Sequence, residues 1–135
     1  LVKVLPYHPF LVKPNNHELG DIFGVKLSTR EEVVPYGRKL QEMGAQNVLI
    51  SMAGEGAVLI AVDGQSMGAP APKGTLVNGV GAGDSMVAGF LTGWMEKKDY
   101  VHAFHMGIAA GSASAFSENL ATREEVLQVL QQVEQ

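Results

Sequence analysis

The 135-residue chain has no cysteine. That absence excludes disulfide scaffolds, thiolate nucleophiles and cysteine-based zinc sites, and it permits a reducing compartment. Long hydrophobic runs are missing too. The longest stretch free of Asp, Glu, Lys and Arg, Tyr100 to Ser117, holds two His, three Ser and two Gly, which is too polar for a membrane span. Basic residues are scarce, 10 Lys+Arg against 14 Asp+Glu for a net charge of −4, and only Arg38-Lys39 and Lys97-Lys98 adjoin. Such a chain is a poor partner for a nucleic-acid backbone. No signal-peptide pattern, internal repeat or low-complexity segment is present. An initiator Met is absent as well, since the chain opens Leu1-Val2-Lys3, and this raises the expectation of a fragment. What is there is a 46% hydrophobic composition with 16 glycines: enough apolar side chain to close one globular core, and many tight backbone sites.

Glycine and proline divide the chain. The apolar run Pro9-Phe10-Leu11-Val12 reads as a buried strand. Asn15 can cap a short helix to about Phe23. Ser28 with Glu31, or Thr29 with Glu32, fits a capping box, and Val33, Tyr36, Leu40 and Met43 form a helical stripe ending at Gly44. The runs Asn47 to Ala53 and Ala57 to Val62 read as two strands joined by a Gly54-Glu55-Gly56 turn. From Gln65 to Gly81 a short edge strand and then a loop are expected. Gly81-Ala82-Gly83 opens a helix with Met86, Phe90 and Trp94 as a core stripe. A second helix runs from about Asp99 to Phe116, dense in small residues between Ala109 and Ala115. Thr122 with Glu125 caps a last one, its Val126, Leu130 and Val133 facing inward. Strands alternating with helices, followed by three helices, predict an α/β layered fold with a mainly parallel sheet. In such folds ligands gather at strand carboxyl ends and helix amino ends.

The segment Asn78-Gly-Val-Gly-Ala-Gly-Asp84 is the strongest candidate for chemistry. Its three glycines free the backbone to turn tightly where a helix begins. The amides of Ala82, Gly83 and Asp84, with the helix dipole, can then gather an anionic oxygen, as phosphoryl transfer requires. A carboxylate repels phosphate, so Asp84 fits a general base at an acceptor hydroxyl; spacing alone fits an ordinary first-turn acid equally well. The loop is neither a Walker loop, which needs G-x-x-x-x-G-K-[ST], nor a G-x-G-x-x-G dinucleotide loop, because Asp84 stands where the third glycine belongs. His102 and His105, three apart on one helix, lack an evident third ligand and read as partly buried helix histidines. His17 receives no role.

Gly81-Ala82-Gly83-Asp84, with Gly79-Val80 before it, resembles the G-A-G-D signature of the ribokinase-like (PfkB-type) carbohydrate kinases. Lys13-Pro14-Asn15-Asn16-His17-Glu18 is similar to that family's K-P-N-x-x-E element. Ser51-Met52-Ala53-Gly54-Glu55-Gly56-Ala57 is similar to its S-L-G-x-x-G-A nucleotide strand and turn. The three lie in family order, and the resemblance is closest to the hexose-phosphate branch.

The resemblance implies a ribokinase-like layered fold and phosphoryl transfer from ATP, with Mg²⁺, to the 6-hydroxyl of fructose 1-phosphate, with tagatose 6-phosphate the nearest alternative. It implies Asp84 as the base, the Gly81, Ala82, Gly83 and Asp84 amides as donors to the transferred group, and Asn15 and Glu18 around Mg²⁺ and its water. It places Lys13, Asn15, Ser51, Gly54, Gly56 and Gly83 against ATP. Bare residue patterns also allow a plain cap at Asn15, a simple hairpin turn at Gly54 to Gly56, and solvated surface lysines at Lys13 and Lys73. Two positions depart from the pattern: Ala53 replaces the usual Gly, and Ser114 stands where the tagatose enzymes tend to carry Asn. Family members run to about twice this length, so residues 1–135 are expected to be the carboxy-terminal nucleotide-binding and catalytic part. The lid would lie elsewhere and would provide any homodimer contact. A cytoplasmic location follows from that reading. The rival of another class is a non-catalytic nucleotide- or phosphate-binding module.

Overall fold

Strand β2, Asn47–Ser51, and strand β3, Ala57–Ile60, are buried along nearly their whole length. A strand covered on both faces reads as a continuous apolar run rather than an alternation, and Val48-Leu49-Ile50 and Ala57 to Ile60 are such runs. The computed structural model describes residues 2–52, 56–70, 82–116 and 123–134. Within it the chain forms two units, Leu1–Pro70 and Ala71–Gln135.

In the first unit a 3₁₀ helix, Val2–Tyr7, leads into β1, Leu11–Val12, then α1, Asn16–Phe23, and α2, Arg30–Glu42, before β2, β3 and β4, Ser66–Ala69. The sheet order is β1-β2-β3-β4. β1 runs parallel to β2 through the crossover of α1 and α2, whereas β2/β3 and β3/β4 are antiparallel. The sheet is therefore mixed over this stretch rather than mainly parallel. Its later strands are linked by short turns, which can join only antiparallel neighbours.

α2 begins where its side chains predict. Thr29 Oγ1 accepts from the Glu32 amide at 3.2 Å, and Glu32 Oε1 accepts from the Thr29 amide at 2.9 Å. Of the two capping pairs the sequence offered, Thr29–Glu32 forms the box. The helix ends at Glu42 with Met43 as its cap, close to the expected stop. It lies against the sheet at Gly37, where a Cβ would collide with the Ile60 side chain. Val33 and Leu40 join Val48, Ile50, Val58 and Ile60 in one core with Leu5, Leu19 and Leu27. Asn47 is fully buried within it: Nδ2 donates to the Phe10 carbonyl at 2.9 Å, and Oδ1 accepts from the Val62 amide at 2.8 Å.

The second unit holds α3, Ala82–Lys97, α4, Tyr100–Phe116, and α5, Arg123–Glu134. α3 and α4 touch closely because Gly89 has no side chain: a Cβ there would lie 2.6 Å from both the Ala110 Cβ and the Met106 carbonyl oxygen. Gly93, one turn on, repeats the approach against Ala103 and Met106. Of the expected stripe on α3, Phe90 is fully buried and Met86 and Trp94 are half-buried. Trp94 stacks on Tyr100 at 4.3 Å across the Lys98-Asp99 connection. Val126, Val129 and Leu130 of α5 pack on Met106 and Ala109 of α4. The proposed cap Thr122 lies outside the described residues, as do Ala53, Gly54 and Glu55 of the hairpin turn and residues 71–81 of the long loop. Among the described residues no helix is long and apolar enough to cross a membrane.

Candidate nucleotide and phosphate site

Lys13 and Pro14 carry the chain from the carboxyl end of β1 to the amino end of α1. Asn15 is the N-cap: its Oδ1 accepts from the Glu18 amide at 2.7 Å, and Glu18 Oε1 accepts from the Asn15 amide at 2.9 Å. The reciprocal box forms because Asn and Glu are three apart, with extended backbone at the cap. The sequence reading of a plain cap and that of a functional N-x-x-E pair thus describe the same atoms.

The structure brings this element to the second motif. The Ser51 amide donates to the Pro14 carbonyl at 3.2 Å, and Asn15 and Ser51 form a parallel bridge that prolongs the β1/β2 pairing. The Met52 amide then donates to the Gly56 carbonyl at 2.9 Å, which closes the base of the glycine turn. Lys13, Asn15, Glu18, Ser51 and Gly56 therefore lie around the carboxyl ends of two parallel strands and the amino end of a helix. That is the crevice position where α/β folds bind ligands.

Gly54 and Gly81 lie outside the described residues, and so do the side chains of Asp84 and Ser114. The backbone makes Ala82, Gly83 and Asp84 the first three residues of α3, as the glycine loop predicts. His17 is exposed. His102 and His105 are half-buried helix residues, and His102 Nε2 lies 3.4 Å from Glu96 Oε1.

Among the described residues no cluster of three or more His, Cys, Asp or Glu could hold a metal. Mg²⁺, however, keeps several waters and takes phosphate oxygens, so it needs only one or two protein carboxylates. The oxygen donors of Asn15 and Glu18 fit that requirement and do not form a closed cage. Sequence reasoning missed Asn16, whose Nδ2 donates to the Leu27 carbonyl at 2.9 Å and ties the start of α1 to the loop that returns from it. No spacing signal announces such a bond. Also unforeseen is an open groove of about 290 Å³ lined by Arg30, Val34, Val58 and Met67 among others; it contains none of the predicted site residues.

Residues 1–127 match the model of the pfkB family of carbohydrate kinases. A 1-phosphofructokinase of Bacillus subtilis is 52% identical over 133 residues, 98% of this chain and 44% of that protein. A D-tagatose-1-phosphate kinase of Bacillus licheniformis is 37% identical over 136 residues, 99% of this chain and 44% of that protein. A crystal structure of a candidate phosphofructokinase from Staphylococcus aureus superposes with a TM-score of 0.92 at 41% identity, covering 97% of this chain and 42% of that one. The chain thus spans less than half the length of these relatives, and its α/β fold is the ribokinase-like one, shared with an Arabidopsis thaliana ribokinase at a TM-score of 0.78.

Proposed function

This chain belongs to the pfkB family of carbohydrate kinases, and from that premise we propose that it is the carboxy-terminal nucleotide-binding and catalytic half of an ATP-dependent hexose-phosphate kinase. The reaction is transfer of the γ-phosphoryl group to the 6-hydroxyl of fructose 1-phosphate, giving fructose 1,6-bisphosphate. The observation that carries the reading is the bridge between Asn15 and Ser51, which sets two motifs distant in sequence side by side at the ligand-binding end of the sheet.

Each residue then has a task. Ser51 and the turn at Gly54 and Gly56 hold the nucleotide, with Lys13 offsetting phosphate charge beside them. Asn15 and Glu18 hold Mg²⁺ through its water shell. The metal, when bound with ATP, neutralises charge on the phosphate oxygens. The amides from Gly81 to Asp84 steady the transferred group at the start of α3. Asp84 accepts the proton of the attacking hydroxyl. In-line transfer depends mostly on position and charge, which suits a site made of glycine amides, one base and a metal.

The same chemistry on a tagatose phosphate is the second reading, favoured by the likeness to a D-tagatose-1-phosphate kinase. The location is cytoplasmic, where ATP and sugar phosphates are held, and a homodimer would form through the lid of the other half. A substrate panel on the full-length protein decides: fructose 1-phosphate should give the highest kcat/KM. A higher value for a tagatose phosphate selects the second reading. Nucleotide binding without turnover on any sugar phosphate would leave a non-catalytic binding module. The 135-residue chain alone is expected to show no turnover, because water exclusion by a lid is missing; Asp84-dependent activity from it would overturn that division of labour.

A further inference from the structure

Beyond the kinase reading and independent of it, we propose that the open groove between α2 and β4 is a binding site for a small zwitterion, an α-amino acid with a short apolar side chain. In the antiparallel register Val58 faces Gly68 and Ile60 faces Ser66. Residues directly opposite share one face of a sheet. Here it is the face that α2 covers, since Gly37 lies against the Ile60 and Ile50 side chains. β2 and β3 fill that face with Val48, Ile50, Val58 and Ile60. β4 offers only a serine and a glycine there, so the layer thins to a trough of about 290 Å³ at the flank of the helix. A glycine inside a strand gives up side-chain packing and often marks the close approach of another group. Neither a clash nor a left-handed backbone requires glycine at position 68, where a Cβ would meet Arg30 Cδ at an ordinary 3.5 Å. Its effect is to keep the trough open beside the Arg30 side chain.

Arg30 and Glu31 are the first two residues of α2, and both line the trough. Neither makes a hydrogen bond or ion pair among the described residues, although Arg30 is half-buried. Adjacent helix residues do not face each other, so the two charges stay apart and the groove presents one of each sign. Val34, Val58 and Met67 supply its apolar wall. A simple anion would satisfy Arg30 and be repelled by Glu31, and a simple cation would meet the reverse. An α-amino acid satisfies both: its carboxylate takes the guanidinium, its ammonium takes the Glu31 carboxylate, and its aliphatic side chain covers the apolar wall. The volume stands at the lower end of ligand pockets, about 300 Å³ and upward, which suits a molecule of this size.

The test is an NMR titration of the full-length protein, following the backbone amides of Arg30, Val58 and Gly68. Three probes of matched shape are added: L-valine, isovalerate, which lacks the ammonium, and isobutylamine, which lacks the carboxylate. L-Valine should bind in the millimolar range, and each one-charge probe at least about fivefold more weakly. Arg30→Gln should weaken valine to the level of isobutylamine, and Glu31→Gln should weaken it to the level of isovalerate. Isovalerate itself should bind Glu31→Gln no more weakly than it binds wild type, because it has no group for that carboxylate. The probes on the wild-type protein decide the matter even if a variant fails to fold. If isovalerate binds wild type as well as valine, the groove is a plain anion site and the proposal falls. Equal binding by isobutylamine overturns it in the same way, as does valine that moves no groove amide at roughly tenfold above the millimolar range. None of these outcomes bears on the kinase reading.

Discussion

Helices α1 and α3 each place a carboxylate at their third residue, Glu18 and Asp84, but the residue three positions earlier differs. Before Glu18 stands Asn15, whose side chain and backbone exchange hydrogen bonds with the acid and close the helix end on itself. Before Asp84 stands Gly81, which has no side chain, so a reciprocal box cannot form there. A glycine offers no side-chain acceptor to first-turn amides, whereas Asn15 engages one of them locally. In the proposed function the same spacing of acid and helix start serves two purposes. There the helix start at Asn15 organises the metal and the helix start after Gly81 handles the transferred group.

The sharpest way to break this contrast is Asp84→Ala in the full-length protein. A lost general base should lower kcat by roughly 10²–10⁴-fold while ATP affinity changes by only a few-fold; comparable turnover would remove Asp84 from the chemistry and leave it a first-turn acid like any other. Next comes Gly89→Ala. If α3 is held chiefly by its close contact with α4, the added methyl, 2.6 Å from Ala110 Cβ, should cost about 1–3 kcal/mol in chemical denaturation. An unchanged midpoint would show that α3 is anchored by other means. The smallest effect is expected at α2, whose box holds none of the predicted site residues. The amides of Ser28 and Thr29, and then the Thr29 hydroxyl, hold the Glu32 carboxyl below its ordinary value of 4.5. A lowered carboxylate stabilises the fold above the ordinary value and loses that contribution as pH falls through the lowered one. The melting temperature should therefore decline more steeply below about pH 4.5 in wild type than in Glu32→Gln. Parallel curves would mean that the box adds nothing to global stability.

Much of this was legible in the chain itself, for local reasons. The caps Asn15 and Thr29 announce α1 and α2 because each bond spans only three residues. The two apolar runs around a glycine turn announce the β2/β3 hairpin in the same way. Sheet direction was less legible, since alternation of strands and helices gives the class, whereas turn length sets the direction of each pair. Small residues crowd α4 from Ala109 to Ala115, a composition that lets another backbone come close. The contact pairs Gly89 of α3 with Ala110, at the start of that stretch, and Gly93 with Ala103 and Met106 ahead of it. The bonds of Asn16 to Leu27 and of Asn47 to Phe10 span 11 and 37 residues, and no local pattern encodes them. For the site, Lys13, Asn15, Glu18 and Ser51 were named from motifs, and the bridge that unites them follows from strand pairing that only the folded chain displays.

The amide of Asn47 has a consequence for how the hairpin is assembled. In the native register Val48 faces Ile60, and Val62 donates to Asn47 Oδ1. A slip by one residue would turn each side chain of the shifted strand to the opposite face and leave the buried acceptor Asn47 Oδ1 without its donor. The sheet therefore carries its own proofreading contact, which penalises a misaligned hairpin.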